Sequence, residues 1–456
     1  MKRNLHELES RTFDLAIVGG GIIGACLARD AARRGLEVAL FEMNDFACAA
    51  SEAMSHTIHG GIRYLAQGRL GPVRDALAER AVWLKTAPDF IGEQKFIMPL
   101  NGGLGALKMK AGIALYQRLG GQRASFHCAE AALELEPNLA RPDLSGAATY
   151  DDARVDEPEK LVIALLQDAS AHGAMIANHV ECTGLLSEEG RITGIKLTDV
   201  LTGAQFQARA AHVVNAAGPW AEMLAGRLLP GQKQARLTAS KGIHILAPPI
   251  SNTHAIAVSG KGEHGFVLPW KGMSLVGTTD EMFTGDVGAA QPADAEIAAL
   301  VEKMSRLLPR AREHFNSRIG SFAGVRALPG APGDTYRASR EVAVRDHAGD
   351  GMSGLFSVFG GKWTTARLIA EQFLNRLTPR FSRPLKLCDT ASVAINAGPA
   401  AQDLAARLAQ AAECEMALTE DDFSRRIGRA EMLAAPRIQQ DIKAWLATGD
   451  NTRNSV

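Results

Sequence analysis

Three glycines and one acid near the start of the chain are spaced as in dinucleotide-binding proteins. Residues 19–24 (GGGIIG) form the pattern G-x-G-x-x-G, and Glu42 follows at roughly the usual interval of about 20 residues. In this pattern Gly19 permits a tight turn, Gly21 lets a pyrophosphate approach the backbone, and Gly24 lets a helix pack on a strand. Glu42 would accept hydrogen bonds from ribose hydroxyls and repel a 2′-phosphate, which argues against NADP.

The residues around this fingerprint predict the elements that must position it. Residues 13–18 (FDLAIV) are a short apolar run typical of a buried strand. Residues 25–35 (ACLARDAARRG) predict a helix that ends at Gly35, and residues 37–42 (EVALFE) predict a second strand. Together they form one βαβ unit, in which the helix N-terminus faces the phosphates.

Two later segments each predict a strand followed by a turn of small residues. Residues 212–220 (HVVNAAGPW) and residues 354–367 (GLFSVFGGKWTTAR) have this pattern, and the second also predicts a helix start. Each segment alone is typical of an ordinary crossover. Together and in this order they favour FAD, held by segments from both ends of the chain. The predicted cofactor-binding residues are Gly19, Gly21, Gly24, Glu42, Ser51, Gly60, Gly61, Val180, Ala217, Gly218, Gly360, Gly361, Lys362, Trp363, Thr364 and Thr365.

A colinear set of sequence blocks resembles the FAD-dependent glycerol-3-phosphate dehydrogenases, within the D-amino-acid-oxidase-like flavoprotein superfamily. The most specific string is IHGGIRYL at residues 58–65. The blocks are residues 19–65, 236–246, 266–286, 321–330 and 357–367, with a weaker trace at 415–433. The resemblance implies an α/β fold: a Rossmann-like FAD-binding domain, an antiparallel-sheet substrate domain and a small helical C-terminal tail.

The resemblance also implies a reaction and a set of site residues. The reaction is oxidation of sn-glycerol 3-phosphate, or a close polyol phosphate, to the ketone phosphate, with hydride passed to flavin and electrons to a quinone or another acceptor. The substrate contacts implied by the resemblance are Arg63, Tyr64, Arg326, Arg340 and Lys362. Several cations suit a phosphate dianion, and arginine suits it best. Arg345 is an alternative to Arg340.

Two histidines are candidates for the base that takes the substrate's hydroxyl proton. His59 precedes the Gly60–Gly61 turn, and His244 leads into an apolar strand. A histidine with a pKa near neutrality suits this role. The alternative for each is a structural histidine beside the cofactor. With Arg63, Arg326 and Lys362 they form the predicted catalytic set, whereas His172 and His347 are expected at the surface.

The chain departs from the family at three places, and these keep other functions open. Ser339-Arg340-Glu341-Val342 replaces a Thr-Arg-Asp-Tyr-like string, Trp363 and Ala366 replace Leu and Tyr, and the region after residue 380 looks shortened. One alternative is an oxidase or dehydrogenase of an amino acid or 2-hydroxy acid, in which Arg326 would bind a carboxylate. Another is a non-catalytic FAD-binding subunit.

The pattern of elements predicts a discontinuous domain organisation. Residues 160–178 predict a helix and then a strand that continue the nucleotide sheet, while FVLPW (266–270) and SLVGTT (274–279) predict antiparallel strands. The predicted domains are 10–80, 150–225 and 323–378 for FAD binding, 81–149 and 226–322 for the substrate, and 380–456 for the helical C-terminal region. Within the last, residues 400–412 and 436–447 have helical periodicity.

The net charge, the cysteine spacing and one amphipathic segment indicate which partners and which cellular location to expect. The formal net charge is +0, so no overall field favours nucleic acid. Six cysteines without a C-x-x-C spacing predict no metal site and a reduced, cytoplasmic protein. Residues 104–119 (LGALKMKAGIALYQRL) mix leucines with Lys108, Lys110 and Arg118, so two interpretations remain. This segment either attaches peripherally to the inner face of the cytoplasmic membrane or packs on its own domain. A homodimer is one assembly that the protein is expected to be able to form.

Overall fold

The computed structural model describes residues 1–66, 68–231, 237–260, 263–330, 342–398 and 401–447, and only the backbone at positions 63, 66, 259 and 260. The strands are β1 (Thr12–Val18), β2 (Val38–Phe41), β3 (Thr57–Ile58), β4 (Ile91–Asn101), β5 (Ser125–His127), β6 (Leu144–Val155), β7 (Met175–Ala177), β8 (Val180–Glu188), β9 (Arg191–Asp199), β10 (Gln205–Asn215), β11 (Leu237–Ala247), β12 (Ala255–Gly260), β13 (Glu263–Trp270), β14 (Met273–Gly277), β15 (Glu281–Met282), β16 (Gly320–Pro329), β17 (Ala343–Asp346) and β18 (Leu355–Phe359). The helices are α1 (Leu5–Ser10), α2 (Ile22–Arg33), α3 (Ile62–Ala66), α4 (Leu70–Thr86), α5 (Gly103–Leu119), α6 (Ala129–Leu135), α7 (Pro158–Ala171), α8 (Ala221–Leu228), α9 (Asp294–Leu307), α10 (Arg312–Asn316), α11 (Ala366–Leu377), α12 (Leu404–Cys414), α13 (Glu420–Ile427), α14 (Arg429–Ala434) and α15 (Arg437–Ala447).

The chain folds into two compact units, each made of several chain segments. Unit 1 contains Met1–Glu52, Glu157–Ala239 and Arg326–Val456, and unit 2 contains Ala53–Asp156 and Ser240–Val325. The division differs from the predicted FAD-binding range 10–80, because the part after Glu52 lies in unit 2. There β3 pairs with β6, and α4 packs against β4 and β6. These long-range contacts are not visible in the local sequence pattern.

Unit 1 is built on a sheet with the strand order β17-β18-β10-β1-β2-β7. The strand β1 lies between β10 and β2 and is parallel to both, and β10 is parallel to β18. All of β2 and the last four residues of β1 are buried, as expected for parallel strands covered on both faces. Helix α2 packs against α7 and α11. This arrangement confirms the α/β prediction and the βαβ unit at the fingerprint.

Unit 2 contains a mostly antiparallel sheet with an apolar core of its own. The strands β13 and β14 pair antiparallel with Val267 opposite Val276, as the sequence predicted for these segments. The longest pairing joins β4 to β6, from Ile91↔Val155 to Asn101↔Leu144. The core between this sheet and α9 contains Ile97, Ile243, Val267, Val276, Ile297, Leu300 and Phe315.

The helical C-terminal region, α12–α15, packs on the rest of unit 1 through buried ion pairs. Arg426 contacts both carboxylate oxygens of Asp45, at 2.6 and 2.9 Å, and both side chains are 2% exposed. His179 Nε2 lies 2.9 Å from Asp422 Oδ2. Removing one partner of a buried ion pair costs about 3–5 kcal/mol, so Arg426 and Asp45 fasten α13 to the loop that follows β2. The contact between His179 and Asp422 joins α13 to the turn between β7 and β8.

A carboxyl group beside these helices is expected to make unfolding depend on pH. Burial raises the pKa of Glu159, on the first turn of α7, to about 7, and the charges of Glu52 and Glu157 act in the same direction. Because the folded-state pKa exceeds the value of about 4.3 in the unfolded chain, the stability present at low pH is lost as pH rises through about 7. We expect Glu159→Gln to raise the Tm at pH 8 by about 2 °C and to change it less near pH 5, just above the unfolded-state pKa.

Thermal unfolding of the FAD-loaded protein at both pH values measures this effect. Glu188→Gln, at the exposed end of β8, serves as the control and is expected to change neither Tm. An equal rise for Glu159→Gln at both pH values would contradict the assignment.

Candidate functional site

Two fingerprint glycines, Gly19 after β1 and Gly24 in the first turn of α2, have no room for a side chain. A Cβ at Gly24 would lie 1.9 Å from the Gly19 carbonyl oxygen, so α2 approaches the strand end at the distance of backbone contact. Gly19 has a φ of +116°, and a Cβ there would lie 2.5 Å from the carbonyl oxygen of Ala216. At Gly21 a Cβ would meet Ser51 Oγ at 3.0 Å. Glycine at these positions therefore permits the close packing of strand end, loop and helix that the fingerprint predicts.

Glu42 lies at the carboxyl end of β2 and is bonded to the same loop. Its carboxylate accepts the N–H of Gly20 at 2.6 Å and the N–H of Asn44 at 2.9 Å. Burial raises the pKa of Glu42, and these two backbone donors oppose the shift. The N–H of Val180 donates to the Glu42 carbonyl at 2.8 Å, so Val180 lies beside the acid. Each carboxylate oxygen has more than one lone pair, so Glu42 can also accept bonds from a ribose.

The two later cofactor segments end at the same edge of the sheet as the fingerprint. Asn215 of β10 is in register with Val18 of β1 and with Ser357 of β18. Ala217 and Gly218 follow β10, and Gly360 and Gly361 follow β18. The strand order reverses between β1 and β10, and in open α/β sheets a ligand binds outside the carboxyl ends at such a point.

The Gly360–Gly361 turn also contacts the first segment directly. A Cβ at Gly361 would lie 3.0 Å from the side chain of Ile23 in α2. Trp363 Nε1 donates to the Ser51 carbonyl at 3.1 Å, and Ser51 Oγ accepts the N–H of Ile22 at 3.0 Å. The fingerprint, Ser51 and the Gly360–Gly361 turn are therefore brought together within unit 1, although 312 positions separate Trp363 from Ser51. Two other predicted cofactor residues, Gly60 and Gly61, belong to unit 2.

The helix predicted after this turn is present, but some of its first N–H groups are already bonded. Helix α11 begins at Ala366 after Thr365, and Thr364 is buried. The N–H groups of Thr365 and Ala366 already donate to the carbonyls of Lys362 and Trp363, each at 3.2 Å. Two N–H groups at the start of α11 therefore donate within the turn itself. The glycine turns, the acid at β2 and the meeting strand ends fit an FAD.

Unit 2 holds both candidate bases, and their surroundings differ. His244 is 3% exposed; its Nε2 lies 3.0 Å from Ser55 Oγ, and its ring stacks on Phe322 with 4.9 Å between centroids. A Cβ at Gly277 would lie 2.4 Å from His244 Cδ2, so the opposite strand leaves room for the imidazole only because it has glycine there. His59 is exposed. Tyr64, in the same unit, is buried.

The structure describes the side chains of only some of the cationic residues predicted to bind the substrate. Arg326 and Lys362 belong to unit 1 and are half-buried. Arg63 is described by its backbone alone, and Arg340 lies outside the described residues. Arg345, the alternative to Arg340, is bonded to Asp350 through two N–H donors at 2.9 and 2.6 Å.

Sequence reasoning missed two polar groups and misplaced one histidine. The prediction that His347 lies at the surface is wrong: it is 0% exposed, with Nδ1 2.8 Å from Asp350 and Nε2 2.9 Å from Ser357. The prediction for His172 is confirmed, since it is exposed. Ser55 and Ser357 were not predicted as partners. Ser55 lies in the matching block 19–65, three positions before its most specific string, and that closeness was the signal that could have found it.

No group of three or more His, Cys, Asp or Glu side chains in the described ranges could hold a metal ion. Within the same ranges, no helix is both long and apolar enough to cross a membrane.

Comparisons with known proteins agree with this geometry. The profile of the FAD-dependent oxidoreductase family (DAO) matches residues 14–373. A glycerol-3-phosphate dehydrogenase of Synechocystis is 31% identical over 408 residues, covering 85% of this chain and 74% of that protein. An aerobic glycerol-3-phosphate dehydrogenase of Staphylococcus saprophyticus is 30% identical over 408 residues, covering 86% and 72%.

Solved structures give the same result. The glycerol-3-phosphate dehydrogenase from Bacillus halodurans, complexed with FAD, is 26% identical with a TM-score of 0.70, covering 92% of this chain and 76% of that one. L-proline dehydrogenase from P. horikoshii has a TM-score of 0.66 at 17% identity, covering 82% and 95%, and shows the shared fold alone. By sequence and fold, the chain belongs to the FAD-dependent oxidoreductase family that includes the glycerol-3-phosphate dehydrogenases, and FAD is its cofactor.

Proposed function

We propose that the protein oxidises sn-glycerol 3-phosphate, or a close polyol phosphate, to the ketone phosphate. The observation that carries this proposal is the 31% identity to a glycerol-3-phosphate dehydrogenase over 85% of the chain. It outweighs the likeness to amino acid dehydrogenases and oxidases, which at 17% and 23% identity supports the fold alone. Bound FAD supplies the hydride acceptor.

His244 is the proposed base for the substrate's hydroxyl proton. A base must be held within hydrogen-bond reach of that proton in one orientation. Phe322 and the space at Gly277 hold the imidazole plane, and Ser55 contacts Nε2. His59 is exposed, so water competes for its ring nitrogens. The tautomer of His244 decides whether Ser55 donates to Nε2 or accepts from it.

Cations bind the phosphate in this proposal. Arg326 and Lys362, with Arg63 and Arg340, supply charges that match a dianion, and an arginine can bond two phosphate oxygens at once. Tyr64 contacts the substrate as well. A carboxylate substrate would need fewer cations, so charge count separates the two substrate classes.

Anaerobic stopped-flow absorbance of the flavin tests the substrate. We expect glycerol 3-phosphate to bleach the oxidised-flavin band at about 450 nm rapidly. Glycerol plus inorganic phosphate should not bleach it. Bleaching only by an amino acid or a 2-hydroxy acid would replace the proposed substrate with that class. Absence of bleaching by every small alcohol and amine tested would leave a non-catalytic FAD-binding subunit.

We also propose that helix α5 attaches the protein to the inner face of the cytoplasmic membrane, where a quinone accepts the electrons. Leu104, Leu107 and Leu115 are 77%, 64% and 44% exposed, and Lys108 and Lys110 are exposed on the same helix. The residues that α5 buries are Ile113, Tyr116 and Gln117. Exposed leucines beside basic side chains suit a headgroup surface.

Removing the exposed leucines is expected to release the protein from lipid. The triple variant Leu104→Ser, Leu107→Ser, Leu115→Ser should lose at least tenfold in affinity for anionic phospholipid vesicles, because most of the buried apolar area is gone. Cosedimentation measures binding, and Leu387→Ser, a 90% exposed leucine of unit 1, is the control. Equal binding by the wild type and the triple variant would contradict attachment through α5.

The molar mass of the same FAD-loaded preparation in solution tests whether the protein forms a homodimer.

A further inference from the structure

A tyrosine on α5 is bonded to the turn that contains the most specific string of the sequence. Tyr116 Oη accepts the N–H of Gly60 at 2.7 Å and lies 2.9 Å from both carboxylate oxygens of Asp152. Asp152 Oδ1 also accepts the Gly60 N–H, at 3.3 Å. All three residues are buried. We propose that Tyr116 and Asp152 are positioning residues for the segment 58–65, which the proposed function assigns to substrate binding.

The pair belongs to a larger network that ties α5 to strand β6. Arg80 Nη1 donates to Asp152 at 3.1 Å and to the Asp151 carbonyl at 2.7 Å. Gln117, next to Tyr116, donates to the Asp151 carbonyl and accepts the Asp151 N–H, both at 3.0 Å. Tyr116 and Gln117 of α5 therefore bond to Asp152 and Asp151 of β6, respectively. The Tyr116 hydroxyl is bonded both to the Gly60 N–H and to Asp152, which Arg80 also contacts, so several buried contacts define its position.

The turn fits closely against this hydroxyl. A Cβ at Gly60 would lie 2.6 Å from Tyr116 Oη and 2.5 Å from a methyl carbon of Leu77 in α4. Gly61 has a φ of +74°, and its carbonyl accepts the N–H of Tyr64 at 2.8 Å at the start of α3. The peptide that Tyr116 holds thus lies directly before the short helix that contains positions 63 and 64. Misplacement of such a segment by about 1 Å can cost about 100-fold in rate.

Tyr116→Phe removes the hydroxyl and keeps the ring. Tyr150→Phe is the matched control, because Tyr150 is 4% exposed, its ring lies 6.1 Å from that of Tyr116, and it stacks on Phe96. Hydrogen–deuterium exchange of the FAD-loaded protein reports on the turn itself. We expect amides of the segment 58–66 to exchange about tenfold faster in Tyr116→Phe and at the wild-type rate in Tyr150→Phe.

Kinetics supply the second measurement. The KM for glycerol 3-phosphate is expected to rise about fivefold to tenfold in Tyr116→Phe, with a smaller fall in kcat and an unchanged FAD content. Asp152→Asn, which keeps the side-chain size, should shift exchange and KM in the same direction and replaces Tyr116→Phe if that variant fails to fold. Wild-type exchange in the segment 58–66 of both variants, or an equal acceleration in Tyr150→Phe, overturns the proposal.

The two measurements separate this inference from the proposed function. Faster exchange in Tyr116→Phe, in a protein whose flavin is not reduced by polyol phosphates, would support the positioning role while replacing the substrate. Normal exchange with normal reduction of the flavin by glycerol 3-phosphate would reject the positioning role and keep the substrate.

Discussion

Replacing Gly24 by alanine is expected to abolish FAD binding, with the affinity falling at least about 100-fold. The new methyl group would lie 1.9 Å from the Gly19 carbonyl oxygen, so either α2 or the loop after β1 must move. Both are backbone and neither can give way as a flexible side chain does. The amides at the start of α2 would then lose their position relative to the pyrophosphate.

The flavin content of the purified variant, from its absorbance relative to protein, measures this effect. Gly349→Ala is the matched control, since a Cβ there meets nothing within 4 Å and Gly349 lies in the same unit. The control should retain one FAD per chain. Full flavin content in Gly24→Ala would show that the cofactor does not depend on this close approach.

Replacing His244 by glutamine is expected to slow flavin reduction by glycerol 3-phosphate by about 10²–10⁴-fold, the usual contribution of a general base. Glutamine retains hydrogen-bonding capacity towards Ser55, at 3.0 Å from the histidine, but cannot take a proton at neutral pH. FAD content should be unchanged. Single-turnover stopped-flow under anaerobic conditions isolates the reductive step.

Two further variants decide what such a loss means. His59→Gln is expected to slow reduction by less than tenfold, because the imidazole of His59 is exposed to water whereas that of His244 is buried. His212→Gln removes a buried histidine of unit 1 that packs on Phe381, with 5.2 Å between ring centroids, and tests for a general effect of losing a buried imidazole. A large loss in His59→Gln, with near-normal reduction in His244→Gln, would reverse the assignment of the base.

The sequence predicted those features that depend on neighbours along the chain. The spacing of Gly19, Gly21 and Gly24 after an apolar run reports a turn and a helix start, which are local structures. The parallel sheet follows from continuous apolar strands alternating with helices. The structure agrees at both levels, and it supplies the close contacts that explain why glycine is needed.

Contacts between distant residues were not predictable in this way. Ser55 lies 189 positions from His244, and Gly60 lies 56 positions from Tyr116. Serine and tyrosine are common, and no periodicity marks them as partners of a particular histidine or glycine. His347 was misplaced for a different reason: its partners Asp350 and Ser357 are only 3 and 10 positions away, but its burial depends on pairing with them rather than on local hydrophobicity.

The strand order of unit 1 has a consequence for the timing of biosynthesis. The strand β1 is made first, but its neighbour β10 begins only at residue 205, and the Gly360–Gly361 turn follows β18. At roughly 5–20 residues per second, the ribosome needs on the order of 20–70 s between the first glycine loop and the last. The FAD site can therefore be complete only after residue 361 has been made, and the edge of β1 that pairs with β10 stays open until residues 205–215 have been made, although β2 can cover the other edge earlier.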